Sequence, residues 1–267
     1  MTQRPKDLTT RPPAVAGAFY PADPAELAST VAGFLNAAKS QKIENLKGVI
    51  APHAGYPYSG KTAGVAYKQL SDLPAKSWRV FLLGPSHFAY VTASVGDFEA
   101  YETPLGRATV DRETCSELLK NAEFEFTAEA HTEEHCLEVQ LPFLQQVLSD
   151  FQIVPILAGS IPPERLATIL EKYFDQPENL FVISSDLSHH LPEKVAREKD
   201  EQSIKIITSL KLENVNSIDA CGAVPIITAL QLVKNTGGQI QLLDYTNSAE
   251  STGDTAAVVG YAAFAIS

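Results

Sequence analysis

The chain has 267 residues, 45% of them hydrophobic and 20% charged, the balance of an ordinary globular protein large enough for one α/β core. With 32 acidic against 21 basic residues the formal net charge is −11, which argues against a nucleic-acid partner and against docking on an anionic membrane. Cys115, Cys136 and Cys221 are odd in number and widely spaced, so they form no disulfide framework and point to a reducing, cytoplasmic setting. No apolar signal-peptide stretch opens the sequence. The longest apolar run, Ala256 to Ile266, is about half the ~20 residues a membrane-spanning helix needs.

In chain order, residues 1–10 read as a flexible polar arm, Pro-rich as far as residue 12, and 11–267 as one domain. Asp23-Pro24 supplies an N-cap and a first-turn proline for a helix to about Ala38, with Leu27, Val31, Phe34 and Leu35 at helical spacing. Gly48 to Pro52 reads as a buried strand, His53 to Gly60 as a loop, residues 60–70 as a helix and Arg79 to Leu83 as a second strand. Thr92 to Val110 looks like a small β excursion. Asp111 caps a helix to about Asn121, and a longer helix is predicted from Thr132 past Leu144.

Gln152 to Ala158 is a strand, Pro162 to Phe174 a helix, and Leu180 to Ser184 a strand. An amphipathic helix over Glu193 to Leu210, another from Pro225 to Lys234, and strands Gln239–Tyr245 and Ala256–Ile266 complete the chain. Alternating strands and helices predict a three-layer α/β domain with a mostly parallel central sheet. Neither a phosphate-binding Gly-x-x-x-x-Gly-Lys-Ser/Thr loop nor a Gly-x-Gly-x-x-Gly turn follows any of these strands.

Three of the apolar runs end in histidine or aspartate: Gly48-Val-Ile-Ala-Pro-His53, Val80-Phe-Leu-Leu-Gly-Pro-Ser-His87 and Leu180-Phe-Val-Ile-Ser-Ser-Asp-Leu-Ser-His189. Ligands of open α/β sheets sit beyond the carboxyl ends of the strands. His53, His87, Asp186 and His189 are therefore expected in one pocket, suited to a metal ion or to acid–base work. Asp186 and His189, three apart, would share a face of a turn. The aspartate either fixes the tautomer of the histidine or forms a general acid–base unit with it. His135 and Glu138 show the same spacing on a predicted helix and are further pocket candidates. His131 reads as a loop residue, His190 as solvent-facing and Cys136 as packing. Cys221-Gly222 lies just ahead of Pro225, where a helix N-terminus would lower the thiol pKa and favour a thiolate ligand or nucleophile.

Together, Arg11-Pro-Pro-Ala-Val-Ala-Gly-Ala-Phe-Tyr-Pro21, Ala51-Pro-His-Ala-Gly-Tyr56, Gly84-Pro-Ser-His87, Glu134-His-Cys-Leu-Glu-Val-Gln-Leu-Pro142, Ser184-Ser-Asp-Leu-Ser-His189 and Ala220-Cys-Gly222 resemble the MEMO family. Its human member is a mediator of cell motility, and its microbial members include protein B of the AmmeMemoRadiSam system. The resemblance implies a fold similar to class III extradiol dioxygenases, with His53, His87 and Cys221 as metal ligands and Asp186 and His189 beside the metal. Thiolate in place of the dioxygenase carboxylate softens the site.

Fe(II) is the expected cofactor, with copper or zinc as alternatives. AMMECR-like and radical SAM proteins of the same system are the implied partners, beside a small-molecule or peptide ligand in the pocket. Two main classes follow. One is a metal-dependent redox enzyme with His189 as acid–base group and Asp186 as its orienter. The other is a non-catalytic metal- or partner-binding protein using the same pocket. A metal hydrolase is a third option.

Overall fold

The three apolar runs that end in histidine or aspartate are neighbouring parallel strands. Trp78–Pro85 pairs with Asn179–Ser184, which pairs in turn with Gly48–Ala51. Leu83, Ile183 and Ile50 lie level across the three, so the strands deliver their following residues to one end of the sheet. The runs are apolar throughout because a central parallel strand is covered on both faces, and every residue of Gly48–Ala51 and Asn179–Ser184 is buried.

The computed structural model describes residues 10–267, so residues 1–9 of the expected arm lie outside the described residues. Thr10, the last residue of the expected arm, is already strand: it and Arg11, the first residue of the expected domain, pair in parallel with Ala100 and Tyr101, and Arg11 is 1% exposed. The expected β excursion is real but belongs to the main sheet. Gly106–Val110 runs parallel to Phe151–Ala158, while Ala93–Val95 pairs antiparallel with the far end of that same strand. On the other flank Val258–Ile266 runs antiparallel to Gly48–Ala51, and Ile240–Asn247 pairs antiparallel with it in turn. The result is a mixed α/β fold with a parallel centre and antiparallel flanks.

Alternation of side chains along Trp78–Pro85 separates two helical layers. Phe81 packs on Tyr173 of helix Pro163–Phe174, with ring centres 4.9 Å apart, and stacks on Phe181 at 4.8 Å. Gly84 faces the opposite layer, where a Cβ would meet Cys136 Sγ at 2.5 Å and Leu137 at 2.9 Å. Glycine there lets the segment after Glu134 lie directly on the strand that leads to His87. In the same opposite layer, helix Pro24–Ala37 buries Leu27, Val31 and Leu35, each burial contributing about 1.5–3 kcal/mol relative to exposure.

Two boundaries differ from expectation in ways that shape the site. The helix after His53 begins at Tyr56 rather than near residue 60, because Pro57 fits a first helical turn that needs no N–H from it. The single helix predicted from Thr132 past Leu144 is instead three pieces, Ala128–Thr132, His135–Glu138 and Leu141–Val147. Glu134 caps the second piece with its own carboxylate, accepting from Cys136 N–H at 3.0 Å, and Pro142 opens the third. Among the described residues no helix is long and apolar enough to cross a membrane.

Candidate metal centre

His53, His87 and Cys221 converge from three separate segments. One ligand atom from each lies within 4.8 Å of the others, and His53 Nε2 is 3.2 Å from Cys221 Sγ. Tetrahedral bonds of about 2.1 Å to nitrogen and 2.3 Å to sulfur place such atoms roughly 3.6 Å apart, so a single ion needs only a small opening of this gap. His53 is buried, Cys221 is partly exposed and His87 stands at the mouth.

Each imidazole has its other nitrogen held. His53 Nδ1 is 2.9 Å from Ser184 Oγ, and Ser184 spends its own proton on the Cys136 carbonyl at 2.6 Å. Ser184 therefore accepts from His53 Nδ1–H, which leaves the Nε2 lone pair facing Cys221. Gln140 fixes that serine from the other side, donating to Ser184 Oγ at 2.8 Å and to the Pro52 carbonyl at 3.0 Å. His87 Nδ1 pairs with Glu134 Oε1 at 2.9 Å, which leaves its Nε2 for a ligand role. Such partners fix ring orientation and ligand basicity.

Charge follows the same division. Burial, with the neighbouring His87 adding to it, pushes the His53 pKa down to about 3, so that ring is neutral and able to donate a lone pair. For His87 burial acts downward but is outweighed by the hydrogen bond and charge of Glu134, and its pKa rises. Burial acts to raise the Glu134 carboxyl, yet its bonds from His87 and Cys136 bring it down to about 2.

Asp186 is buried, and burial lifts it to about 6 against the hydrogen bonds it accepts. The lowered thiol pKa expected for Cys221 is not found. Burial, reinforced by the Asp186 charge, pushes it up to about 12 and outweighs the helix N-terminus two residues on. An ion at this site would have to displace that proton.

Asp186 and His189 do not form the expected pair. Asp186 Oδ1 accepts from the His53 backbone N–H at 2.8 Å, while His189 is exposed in a short strand paired with Val259. Residues 185–188 form neither helix nor strand, so the expected shared face of a turn is absent, although His189 stays within electrostatic reach of Asp186 and His53. Among the described residues no hydrogen bond joins the two. The aspartate anchors the His53 loop; the histidine faces solvent. His190 is exposed as expected, with a left-handed φ of 55°.

His135 does reach the pocket. Its ring centre is 5.0 Å from that of His87 and 5.4 Å from that of His53, and burial holds it neutral with a pKa near 4. Glu138, expected beside it, faces away into the protein. It pairs with Arg11, accepts from Tyr20 Oη, and takes the backbone N–H groups of Ala14 at 2.8 Å and Val15 at 3.1 Å. His131 is no loop residue: it lies buried in helix Ala128–Thr132, bonded to Ser94 at 3.0 Å and Tyr101 at 2.8 Å.

Glu134, Ser184 and Gln140 serve the site although little in their sequence context marks them as functional. The one signal the sequence carries is a carboxylate immediately before His135. Glu134 also belongs to a second possible ligand group with His87 and His135, but its oxygens are already committed to His87 and Cys136.

Cys221 is placed by its neighbours. Ser185 Oγ accepts from Gly222 N–H at 2.9 Å and donates to the Asp186 carbonyl at 2.8 Å. A Cβ at Gly222 would meet Ser185 at 2.6 Å and the Ser184 carbonyl oxygen at 2.8 Å, so only glycine lets the cysteine loop approach so closely. Beside Cys221 opens a cleft of about 580 Å³, walled by Pro85, Ser86, Tyr90, Ser160 and Val224.

Comparison with known proteins shows the family. The Memo-like protein family profile matches residues 11–265. A MEMO1 family protein of Aquifex aeolicus is 38% identical, the match covering 95% of this chain and 98% of the relative. Another from Ignicoccus hospitalis is 37% identical over 96% of this chain and 98% of its own. The crystal structure of an uncharacterized protein, JW3007, from Escherichia coli K12 superposes with a TM-score of 0.58 at 14% identity, covering 84% of this chain and 100% of that one, a likeness of fold alone. The chain belongs to the Memo-like protein family.

Proposed function

We propose that this chain binds a single transition-metal ion through His53, His87 and Cys221 and uses it in a redox reaction of the dioxygenase type. The observation that carries this reading is the convergence of three donor atoms within 4.8 Å, with the second nitrogen of each histidine already held by Ser184 or Glu134. Three protein ligands leave a coordination position open, as catalytic rather than structural sites do. Two imidazoles and a thiolate suit Fe(II) or copper, with zinc the redox-inert alternative.

The ion would supply Lewis acidity and electron exchange with a small molecule entering beside Cys221. The protein's own groups do the rest. Ser184 and Glu134 hold the ligand rings, Asp186 fixes the His53 loop, and His135 stays neutral beside the ligands. His189 is exposed and lies within electrostatic reach of His53 and Asp186, which makes it our candidate acid–base group. Free Cys221 suits a reducing cytoplasm, where the thiol persists until metal displaces its proton.

A second reading, metal-dependent partner binding without turnover, is favoured by Phe88 and Tyr90 on the loop after His87, which are 56% and 109% exposed. They offer an aromatic rim for a peptide or for the AMMECR-like and radical SAM proteins implied by the family. Metal content after anaerobic purification, paired with dioxygen uptake on catechol-like compounds, separates the readings. One iron or copper per chain with uptake supports the enzyme. Metal without uptake supports the binding protein, and no metal overturns both.

A further inference from the structure

We propose that Arg11 is a positioning residue for the metal centre, acting through Glu134 on His87; the proposal rests on the ligand set above. Arg11 is 1% exposed although the surrounding sequence reads as a polar arm. Its guanidinium is spent on three partners. Nη2 donates to the Glu134 carbonyl at 2.6 Å, Nε donates to the His131 carbonyl at 3.0 Å, and Nη1 pairs with Glu138. The two carbonyls bracket residues 131–134, so the arginine fork sets the backbone on which the Glu134 side chain stands. That side chain in turn takes both the backbone N–H of His87, at 2.7 Å, and its Nδ1, at 2.9 Å. A chain of three residues thus links the first described strand to a ligand at the mouth.

The rest of the segment supports the same region. Glu138 receives the N–H groups of Ala14 and Val15, which ties residues 14–15 beneath the site. The Phe19 carbonyl accepts from Tyr56 N–H at 2.8 Å, at the start of the helix that follows His53, and the Phe19 ring lies 4.9 Å from His135. Residues 11–20 therefore strap the loops that carry His53, His87 and His135. The planar five-donor fork of arginine is what permits two carbonyls and a carboxylate to be held at once; lysine retains the charge but has no such fork.

The test uses Co(II) as probe on the full chain, reading its dissociation constant by competition and its thiolate-to-metal absorption band. Arg11→Lys should weaken Co(II) about tenfold, at the low end of the 10–100-fold that losing a ligand's hydrogen-bonding partner costs, and should shift the band. Because an unpaired buried Glu138 threatens folding, the double variant Arg11→Met with Glu138→Gln serves as a second arm and should show the same weakening.

Arg79→Lys is the control. It disturbs the Arg79–Asp111 pair at the opposite end of the sheet, and should lower thermal stability without moving affinity or band. Arg11 variants that fold and bind Co(II) within about twofold of the parent, with an unchanged band, would overturn the proposal. Two unfolded variants would count against it equally, since Arg11 would then hold the fold rather than the site. A parent chain that binds no Co(II) would instead remove the metal-site reading itself.

Discussion

Glu134 grips His87 at two points, its Oε2 accepting from the backbone N–H at 2.7 Å and its Oε1 pairing with Nδ1 at 2.9 Å. A single carboxylate thereby sets both where the His87 loop sits and which ring nitrogen is left for a ligand. Glu134→Gln keeps the size but offers one acceptor oxygen and an NH2 group that cannot accept from either donor. Metal affinity should fall about 10–100-fold while the fold is retained. Competition titration with a metallochromic chelator reads this directly. An unchanged dissociation constant would show that His87 needs no such anchor.

Cys221 should be the thiol whose reactivity depends on metal. In the metal-free protein burial and Asp186 keep it protonated, and its Sγ lies beside His53 Nε2. Bound metal should shield Cys221 from alkylation and chelation should expose it, whereas Cys115 and Cys136 are buried and should react in neither state. Cys221→Ser should bind metal far more weakly with the fold intact, because a neutral hydroxyl is a poor ligand beside a thiolate. Peptide mapping of alkylated cysteines with and without metal decides the point. Equal labelling of Cys221 in both states would leave two histidines as the only ligands.

Asp186 and His189 should separate under mutation. Asp186 supports the His53 backbone, so Asp186→Asn should weaken metal binding by loosening that loop, within about tenfold. His189 is exposed and, among the described residues, makes no hydrogen bond to a ligand ring, so His189→Ala should leave metal content unchanged and lower turnover or ligand binding only. Metal analysis of both variants beside His53→Ala checks the assignment. Complete loss of metal from His189→Ala would make it a ligand.

What the sequence shows most clearly is what local patterning controls. The apolar runs before His53, His87 and Asp186 announce buried parallel strands, and the carboxyl-end rule then brings their terminal residues together. What it hides depends on partners distant in the chain. Arg11 reads only as the polar, Pro-rich edge of the domain, because nothing near it reveals a carboxylate 127 residues away. His135 and Glu138 do share one short helix, but their surroundings are set from far away: His135 lies against His53 and His87, whereas Glu138 is taken up by Arg11, Tyr20 and the backbone of residues 14–15. Cys221 lies where a helix N-terminus should lower its pKa, yet burial and the Asp186 charge dominate, and neither is visible from spacing.

Acid should destabilise the metal-free protein through its buried neutral histidines. Burial, with the charge of Arg11, pushes His131 down to about 3, and burial likewise brings His53 to about 3 and His135 to about 4. In the unfolded chain these rings titrate near 6.5. Between these limits the unfolded state binds more protons, so stability rises with pH. The contribution is full above about 6.5 and is lost as pH falls toward the folded values. Each such ring steepens the slope by at most about 1.4 kcal/mol per pH unit.

Asp186 works the other way. Its folded pKa of about 6 lies above the usual 3.8, so acid favours the folded form across that interval and offsets part of the slope. His131 is the cleanest probe because it binds Ser94 and Tyr101 rather than lying among the proposed ligands. His131→Gln can keep hydrogen bonds to both hydroxyls but cannot take up a proton. Urea unfolding of chelator-treated protein should therefore show a shallower loss of stability between about pH 6.5 and 4 in the variant than in the parent. Parallel curves, offset but equal in slope, would mean that His131 does not titrate on unfolding.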